Sequence, residues 1–378
     1  MKKRVLVTGG AGFVGSHLVD KLLEHKSYEV SIFDNLEEQV HGKIKNPPSY
    51  INKEAEFFLG SVTDYNKFED LVKDHEIIVH FASSVGVGQS MYQIKKYIDN
   101  NILGLANLLD ILVNSEHNVE KVLIASSNTV YGESKSYCDK CSVVYPNLRD
   151  QNQLMEKHWE LKCPNCEANY VKPLLTDEES KLNPSSIYAF SKLAQEKMSL
   201  MISKTYGIKT TVLRFFLVYG TRQSLSNPYT GICGIFINRV INGKPPIIFE
   251  DGHQTRDFVN VSDICQASIL ALEKKASNGE IFNVGTGIPT SIKDVAEIIT
   301  NKVNPDLKPV YTNEYRIGDI RHCVADISKI KTILGYSPTV DFKEGIEDLI
   351  NWIKLDKSNV PPPSKKAIQE LKEKGLLK

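Results

Sequence analysis

Tyr188 and Lys192 close the pentapeptide Tyr188-Ala-Phe-Ser-Lys192, which follows Asn183-Pro184-Ser185-Ser186 and reads as the start of a helix. Residues four apart share a helix face, so phenol and ammonium point the same way. A fixed positive charge beside a phenol favours the phenolate and lowers its pKa from about 10. A phenol tuned in this way takes a proton from a sugar or alcohol hydroxyl while a hydride leaves the same carbon. The pentapeptide alone is a common pattern. It acquires meaning only if the chain also supplies a hydride acceptor and a substrate site.

The acceptor site is written near the N-terminus. Arg4-Val-Leu-Val-Thr8 is a short apolar run, followed at once by Gly9-Gly-Ala-Gly-Phe-Val-Gly15 and an amphipathic helix from His17 to Leu23. A second apolar run, Glu29 to Phe33, ends in Asp34. Gly9, Gly12 and Gly15 give a spacing one residue wider at its start than the common dinucleotide fingerprint. The physics is the same: glycines allow a tight turn and a close approach to a pyrophosphate, whose charge sits at the helix N-terminus. Asp34 is placed to accept hydrogen bonds from an adenosine ribose, and its charge repels a 2′-phosphate, which favours NAD over NADP. Phe13 and Val14 inside the turn and Asn35 after the acid complete the expected cofactor set.

A third group is Cys138-Asp-Lys-Cys141 with Cys163-Pro-Asn-Cys166. Two C-x2-C pairs can each present two thiolates to one side of a turn and together form a closed tetrahedral site for structural zinc. Free thiols and labile disulfides are the competing readings, and the segment is too weakly basic for a nucleic-acid ribbon. Cys233, Cys265 and Cys323 stand singly in apolar stretches and read as core.

The elements between these groups alternate. Phe57–Leu59, Ile77–Phe81 and Val122–Ser126 are apolar strands separated by helical patterns, the βα rhythm of a parallel sheet. Residues 92–114 carry Ile94, Ile98, Ile102, Leu105 and Leu109 and read as one long amphipathic helix. After Gly220 the chain turns to loops and scattered helices, as expected of a smaller domain over the C-terminal edge of the sheet, where ligands bind. The expected organisation is α/β: a doubly wound Rossmann domain over 1–220 interrupted by a cysteine insertion at 134–172, a substrate domain over 221–355 that partly returns to the sheet, and a tail at 356–378.

Composition is compatible with this. The 378 residues carry 46 basic and 46 acidic side chains, and this zero net charge argues against a general nucleic-acid or membrane-surface binder. The N-terminus shows no signal-peptide core, and no apolar run reaches the length of a membrane span. Seven cysteines do not form an even disulfide framework, so a reducing cytoplasm is expected.

The glycine turn and the Tyr188/Lys192 pair, with Ser126-Ser-Asn-Thr-Val-Tyr-Gly132, Leu213-Arg-Phe-Phe-Leu-Val-Tyr-Gly220, Gln254-Thr-Arg-Asp-Phe258 and Arg316-Ile-Gly-Asp319, resemble the extended short-chain dehydrogenase/reductase family, specifically its nucleotide-sugar epimerases and dehydratases. The resemblance runs from about residue 4 to about residue 354. It implies that Ser127 assists Tyr188, that Lys192 also holds the nicotinamide ribose, that Thr129 lies at the substrate, and that Arg256 and Arg316 clamp its diphosphate. It implies a homodimer through the 92–114 and Tyr188 helices. The four-cysteine insertion is similar to a subgroup that includes dTDP-L-rhamnose 4-epimerases. Dehydratases of the family carry Asp-Glu where this chain has Asn128-Thr129, so the implied activity is 4-epimerisation of dTDP-L-rhamnose or a UDP-hexose; 4-keto reduction or dehydrogenation is the alternative, and 4,6-dehydration is disfavoured. Two departures stand out: Ser61 replaces the acid that meets adenine, and Leu217 replaces a substrate-contacting asparagine. The tail reads as a stiff Pro-rich connector and a short charged helix capped by Ser364, without chemistry.

Overall fold

The computed structural model describes residues 2–355 and 365–378, apart from Glu167, Ser226, Pro228 and Tyr229; the Pro-rich connector and Ser364 lie outside them. Seven parallel strands form the central sheet: β1 (Lys3–Thr8), β2 (Tyr28–Asp34), β3 (Glu56–Leu59), β4 (Ile77–His80), β5 (Lys121–Ser127), β6 (Lys209–Phe215) and β7 (Ile281–Val284). Their order is β7-β6-β5-β4-β1-β2-β3. The order reverses between β1 and β4, where Thr8 pairs with His80, and in open α/β sheets ligands bind beyond the strand ends at such a point. Buried Val, Ile and Leu on both faces make the strands near-continuous apolar runs, as a sheet covered by helices on each side requires.

Five helices position the site: α1 (Phe13–Glu24), α2 (Gly104–Asn114), α3 (Ile187–Tyr206), α4 (Val261–Glu273) and α5 (Lys365–Glu373). The helix expected over 92–114 is not uniform. It runs as Ile94–Tyr97, a π-helical stretch Ile98–Leu103, and then α2. The wider turn carries Asn101, fully buried, whose side chain accepts from Ser84 N–H (2.8 Å) and donates to Ser84 O (3.1 Å) and Ser191 Oγ (2.9 Å). Such π-helical turns are rare and are frequently found at functional sites.

The second lobe is built on Leu217–Tyr219, Thr255–Asn260, Pro289–Ser291 and His322–Cys323, with its own apolar cluster around Phe236, Ile299, Ile346 and Leu349. Its chain returns to the first lobe, since α4 packs on α1 and β7 forms the edge of the main sheet. The insertion folds as a small antiparallel sheet of Ser136–Cys138, Ser142–Val144 and Lys172–Pro173. No helix among the described residues is long and apolar enough to cross a membrane.

Candidate active site

The glycine turn leaves no room for side chains. Gly9 has φ +70°, and a Cβ on it would stand 2.8 Å from Ala82 N; a Cβ on Gly15 would stand 2.2 Å from Gly9 O. Gly12 caps α1 without any side-chain bond, so no cap side chain competes for the first N–H groups of the helix, as an anion site requires. Asp34, at the end of β2, accepts from Ala11 N–H (3.0 Å) and Leu36 N–H (2.8 Å) and so ties the turn to the neighbouring strand. Burial raises its pKa; those N–H groups and His41, 3.9 Å away, act against the rise. Phe13 and Val14 are half-buried, while Asn35 is exposed and caps its own turn through Glu37 N–H. The tight glycine backbone, the uncapped helix start and the acid at the end of β2 fit a dinucleotide.

α3 explains why its sequence is unusual for a buried helix. Ser186 caps it by accepting from Ala189 N–H (3.1 Å), and Gly207 ends it in a left-handed turn. The face it buries is polar: Tyr188, Ser191, Lys192, Gln195, Glu196 and Ser199, at helical spacing. Phe190 and Met201 are left exposed. Burying polar groups costs stability unless each is paired, so this inverted face marks a working surface. Tyr188 stacks edge-on against Tyr97 at 6.3 Å, and its N–H donates to Ser90 Oγ (3.0 Å).

Ser127 ends β5 and accepts from Thr129 N–H (3.2 Å) and Thr129 Oγ1 (3.0 Å). Its hydroxyl lies near enough to Tyr188 to draw the phenol's pKa downward. Ser127, Tyr188 and Lys192 thus meet at the end of β5. The expected tuning differs, however. Burial pushes the Tyr188 phenol up to about 12, with only the Ser127 hydroxyl acting downward. Lys192, fully enclosed, donates to Ala125 O (2.9 Å) instead; burial brings it down to about 7, with Glu196 opposing. The reason is shared desolvation: a buried ammonium loses its own charge before it can stabilise a phenolate.

Of the two arginines expected at the diphosphate, they do different things. Arg256 donates to Thr255 O (2.9 Å), Arg321 O (3.0 Å) and Ile320 O (2.5 Å), so its fork braces the 319–321 loop. Arg316 lies over the Phe249 ring at 5.3 Å, with Asp319 3.7 Å from Nε and no hydrogen bond to that nitrogen among the described residues. Its side chain, 41% exposed, is the less enclosed of the two, against 13% for Arg256. Leu217 packs half-buried in the second-lobe cluster. Asp64 caps the Tyr65–Lys73 helix through Lys67 N–H, which leaves the adenine position without an acid there.

Comparison with known proteins agrees with this geometry. Residues 5–150 match the NAD dependent epimerase/dehydratase family model, and residues 170–349 match that of GDP-mannose 4,6 dehydratase. A dTDP-L-rhamnose 4-epimerase of Burkholderia thailandensis is 34% identical over 94% of this chain and 97% of its own. The chain belongs to the NAD-dependent epimerase/dehydratase family. Two solved structures extend the likeness. The UDP-glucose 4-epimerase of Thermotoga maritima with UDP-glucose has TM-score 0.75 and 30% identity over 93% of this chain and 98% of its own. The UDP-glucuronic acid 4-epimerase of Bacillus cereus, in complex with UDP-glucuronic acid and NAD, has TM-score 0.76 and 27% identity over 93% and 99%.

Within this epimerase/dehydratase frame the insertion brings Cys138, Cys141, Cys163 and Cys166 together, all four sulfurs within 4.8 Å of one another. None is disulfide-bonded; Cys138 Sγ and Cys166 Sγ are 3.6 Å apart. Cys233, Cys265 and Cys323 are buried in the core as expected. The insertion also reaches the second lobe. Glu160 pairs with Arg321 (2.5 Å) and His322 (3.2 Å), and Arg149 with Glu250 (2.8 Å).

Three features escaped the sequence reading: Asn101, the pairing of Glu196, on the Lys192 helix, with Arg214 (2.7 Å), and the pairing of the C-terminal residues with Tyr315–Ile317. The only signal for the first two was polarity at positions where helical or strand spacing demands burial.

Proposed function

We propose that this protein is an NAD-dependent nucleotide-sugar 4-epimerase, with dTDP-L-rhamnose or a UDP-hexose as substrate. The observation that carries the reading is the convergence of Ser127, Tyr188 and Lys192 at the end of β5, beside a glycine turn that fits a dinucleotide. Gly9, Gly12, Gly15 and Asp34 would hold NAD⁺, which when bound supplies the hydride acceptor, the hydride donor and a positive charge beside the phenol. Tyr188 takes the C4 hydroxyl proton, and Ser127 hydrogen-bonds the same oxygen. Lys192, anchored on Ala125 O, holds a second proton next to the tyrosine and fixes the ribose. The 4-keto sugar turns in the pocket, Tyr188 returns its proton, and the C4 configuration is inverted with no net oxidation. Asn128 and Thr129 are neutral, so neither can protonate a departing C6 hydroxyl, which disfavours dehydration.

The same reading assigns the first lobe to NAD, the second to the nucleotide sugar, and the cytoplasm as location. A structural zinc ion in the four-cysteine cluster is supported by the lobe's core: Val144, Leu161 and Val171 with two of the cysteines are too few to hold a fold unaided. A homodimer is supported by apolar surface left open on the two helices, at Leu103, Phe190, Met201 and Tyr206.

The test is incubation of the purified protein with a panel of UDP- and dTDP-sugars without added NAD. Interconversion of C4 epimers is expected, with Tyr188→Phe slower by at least about 10²-fold. Turnover that requires added NAD(H) or NADP(H) would make the protein a 4-keto reductase or dehydrogenase instead.

A further inference from the structure

The last residues of the chain connect two walls of the cleft. After α5, Gly375 at φ +68° reverses the chain, with Leu376 N–H returning to Leu371 O (2.8 Å). Leu376–Lys378 then lie antiparallel to Tyr315–Ile317. Tyr315 N–H donates to Lys378 O (2.9 Å), Lys378 N–H to Tyr315 O (3.0 Å) and Ile317 N–H to Leu376 O (3.0 Å). Leu377, 3% exposed, sits opposite Arg316 itself. Lys372 pairs with Glu314 (2.6 Å), and Lys378 Nζ donates to Gln151 Oε1 (2.8 Å). On the other side of Tyr315 the insertion packs Trp159, at 6.3 Å, and Leu154. The peptide that carries the Arg316 guanidinium is therefore held from both sides.

The same segment reaches the opposite wall. Leu371, 7% exposed, lies on Gly88 so closely that a Cβ there would stand 3.0 Å from its Cδ2. Tyr92 OH donates to Glu370 Oε2 (3.0 Å). This loop supplies Ser90, which receives the N–H of Tyr188, and Gln89, which receives the hydroxyl of Tyr97, the ring stacked on Tyr188.

We propose that residues 368–378 are a positioning element of the substrate site: a strap that joins the Arg316 wall to the loop behind Tyr188 and holds Arg316 in register for a nucleoside diphosphate. A guanidinium on a free loop must be ordered when its ligand binds, whereas one on a paired, twice-buttressed strand is ordered beforehand, and affinity rises accordingly. These bonds and contacts of the strap run to the Arg316 peptide, to Gln151 and to residues 88–92, not to the glycine turn, so cofactor binding is expected to be independent of it. The inference rests on the nucleotide-sugar reading and deepens it.

The experiment is calorimetric titration with UDP and with dTDP of the full chain, of a chain ending at residue 364, and of Leu371→Asp in the full chain. Both altered proteins are expected to bind the preferred nucleotide at least about 10-fold more weakly, with NAD content and the main melting transition unchanged, while Leu371→Met restores binding. In an Arg316→Ala background, removal of the strap should cost less than about 3-fold, because its effect passes through that side chain. Equal affinity with and without the strap overturns the inference, as do losses that multiply independently of Arg316, or a loss of NAD and melting temperature in parallel. A full chain that binds neither nucleotide overturns the nucleotide-sugar reading itself.

Discussion

Glu196→Gln separates what the buried acid does for the fold from what it does for the site. Glu196 is fully buried and Arg214 1% exposed; Nη2–Oε2 is 2.7 Å and Nε–Oε1 2.9 Å, and Ser126 Oγ donates to the same carboxylate (2.5 Å). Glutamine keeps the shape but turns an amide NH₂ towards a guanidinium that has lost its counter-charge. Breaking one side of a buried pair costs about 3–5 kcal/mol. At roughly 2 °C per kcal/mol for a chain of this size, the melting temperature should fall by roughly 6–10 °C. A second effect acts through Lys192. Glu196 alone among its neighbours holds that ammonium up against burial, which already brings it down to about 7. Without the acid the lysine should lose its proton at lower pH. If the protonated lysine is needed, the alkaline limb of the pH–rate profile moves to lower pH in the variant. Differential scanning calorimetry and the pH dependence of sugar interconversion read the two effects separately. A melting temperature within a degree or two of wild type would refute the stability argument; an unmoved alkaline limb would show that Glu196 does not tune Lys192.

Elemental analysis of purified protein should give one zinc per chain, lost in Cys163→Ser/Cys166→Ser, which still binds NAD but binds nucleotide sugar poorly. Metal-free protein with full activity would exclude the site. His80 supplies a pH test. It is fully buried, bonded to Thr8 Oγ1 through Nδ1 (3.1 Å), and burial together with Lys192 lowers its pKa from 6.5 to about 3. Its folded pKa is depressed, so between pH 6.5 and about 3 the unfolded chain binds the extra proton and stability drops as pH falls, by at most about 1.4 kcal/mol per unit from this group. The acid-side slope of melting temperature should be shallower in His80→Gln, and an identical slope would count against it.

What could be read from the sequence was what is local. The first βαβ unit declared itself because strand, glycines, helix and acid follow within thirty residues. The cysteine pairs did so because each knuckle is a four-residue turn. Cys233, Cys265 and Cys323 followed from apolar neighbours. Where partners are remote, the pattern was silent. Ser191, which meets Asn101, lies 90 residues beyond it, and nothing in an apolar stripe announces a π-turn. Arg256 stands in a recognisable motif, yet the motif does not say whether its fork faces a ligand or the carbonyls of Ile320 and Arg321. The phenol and the ammonium were correctly placed on one face, but their tuning depends on enclosure, which spacing does not encode. The tail reads as a short charged helix without chemistry; the helix is there, but its partners, Tyr315 and Gly88, are distant in sequence and individually unremarkable.

The seventh strand has a consequence for how the molecule is made and lost. Six strands are complete by Phe215, but β6 remains an open edge until Ile281–Val284 arrives and Gly279 N–H meets Thr210 O. A nascent chain therefore carries β6 with one edge unpaired through the synthesis of more than sixty further residues, the condition under which edge-to-edge aggregation occurs. The repair comes from the lobe that contributes the other wall of the cleft, with α4 laid along α1 in the same pass. Neither half can then be excised as a stable piece. Heat or denaturant should take both down together, and a protease that nicks between residues 215 and 281 unpicks the sheet as well as the cleft.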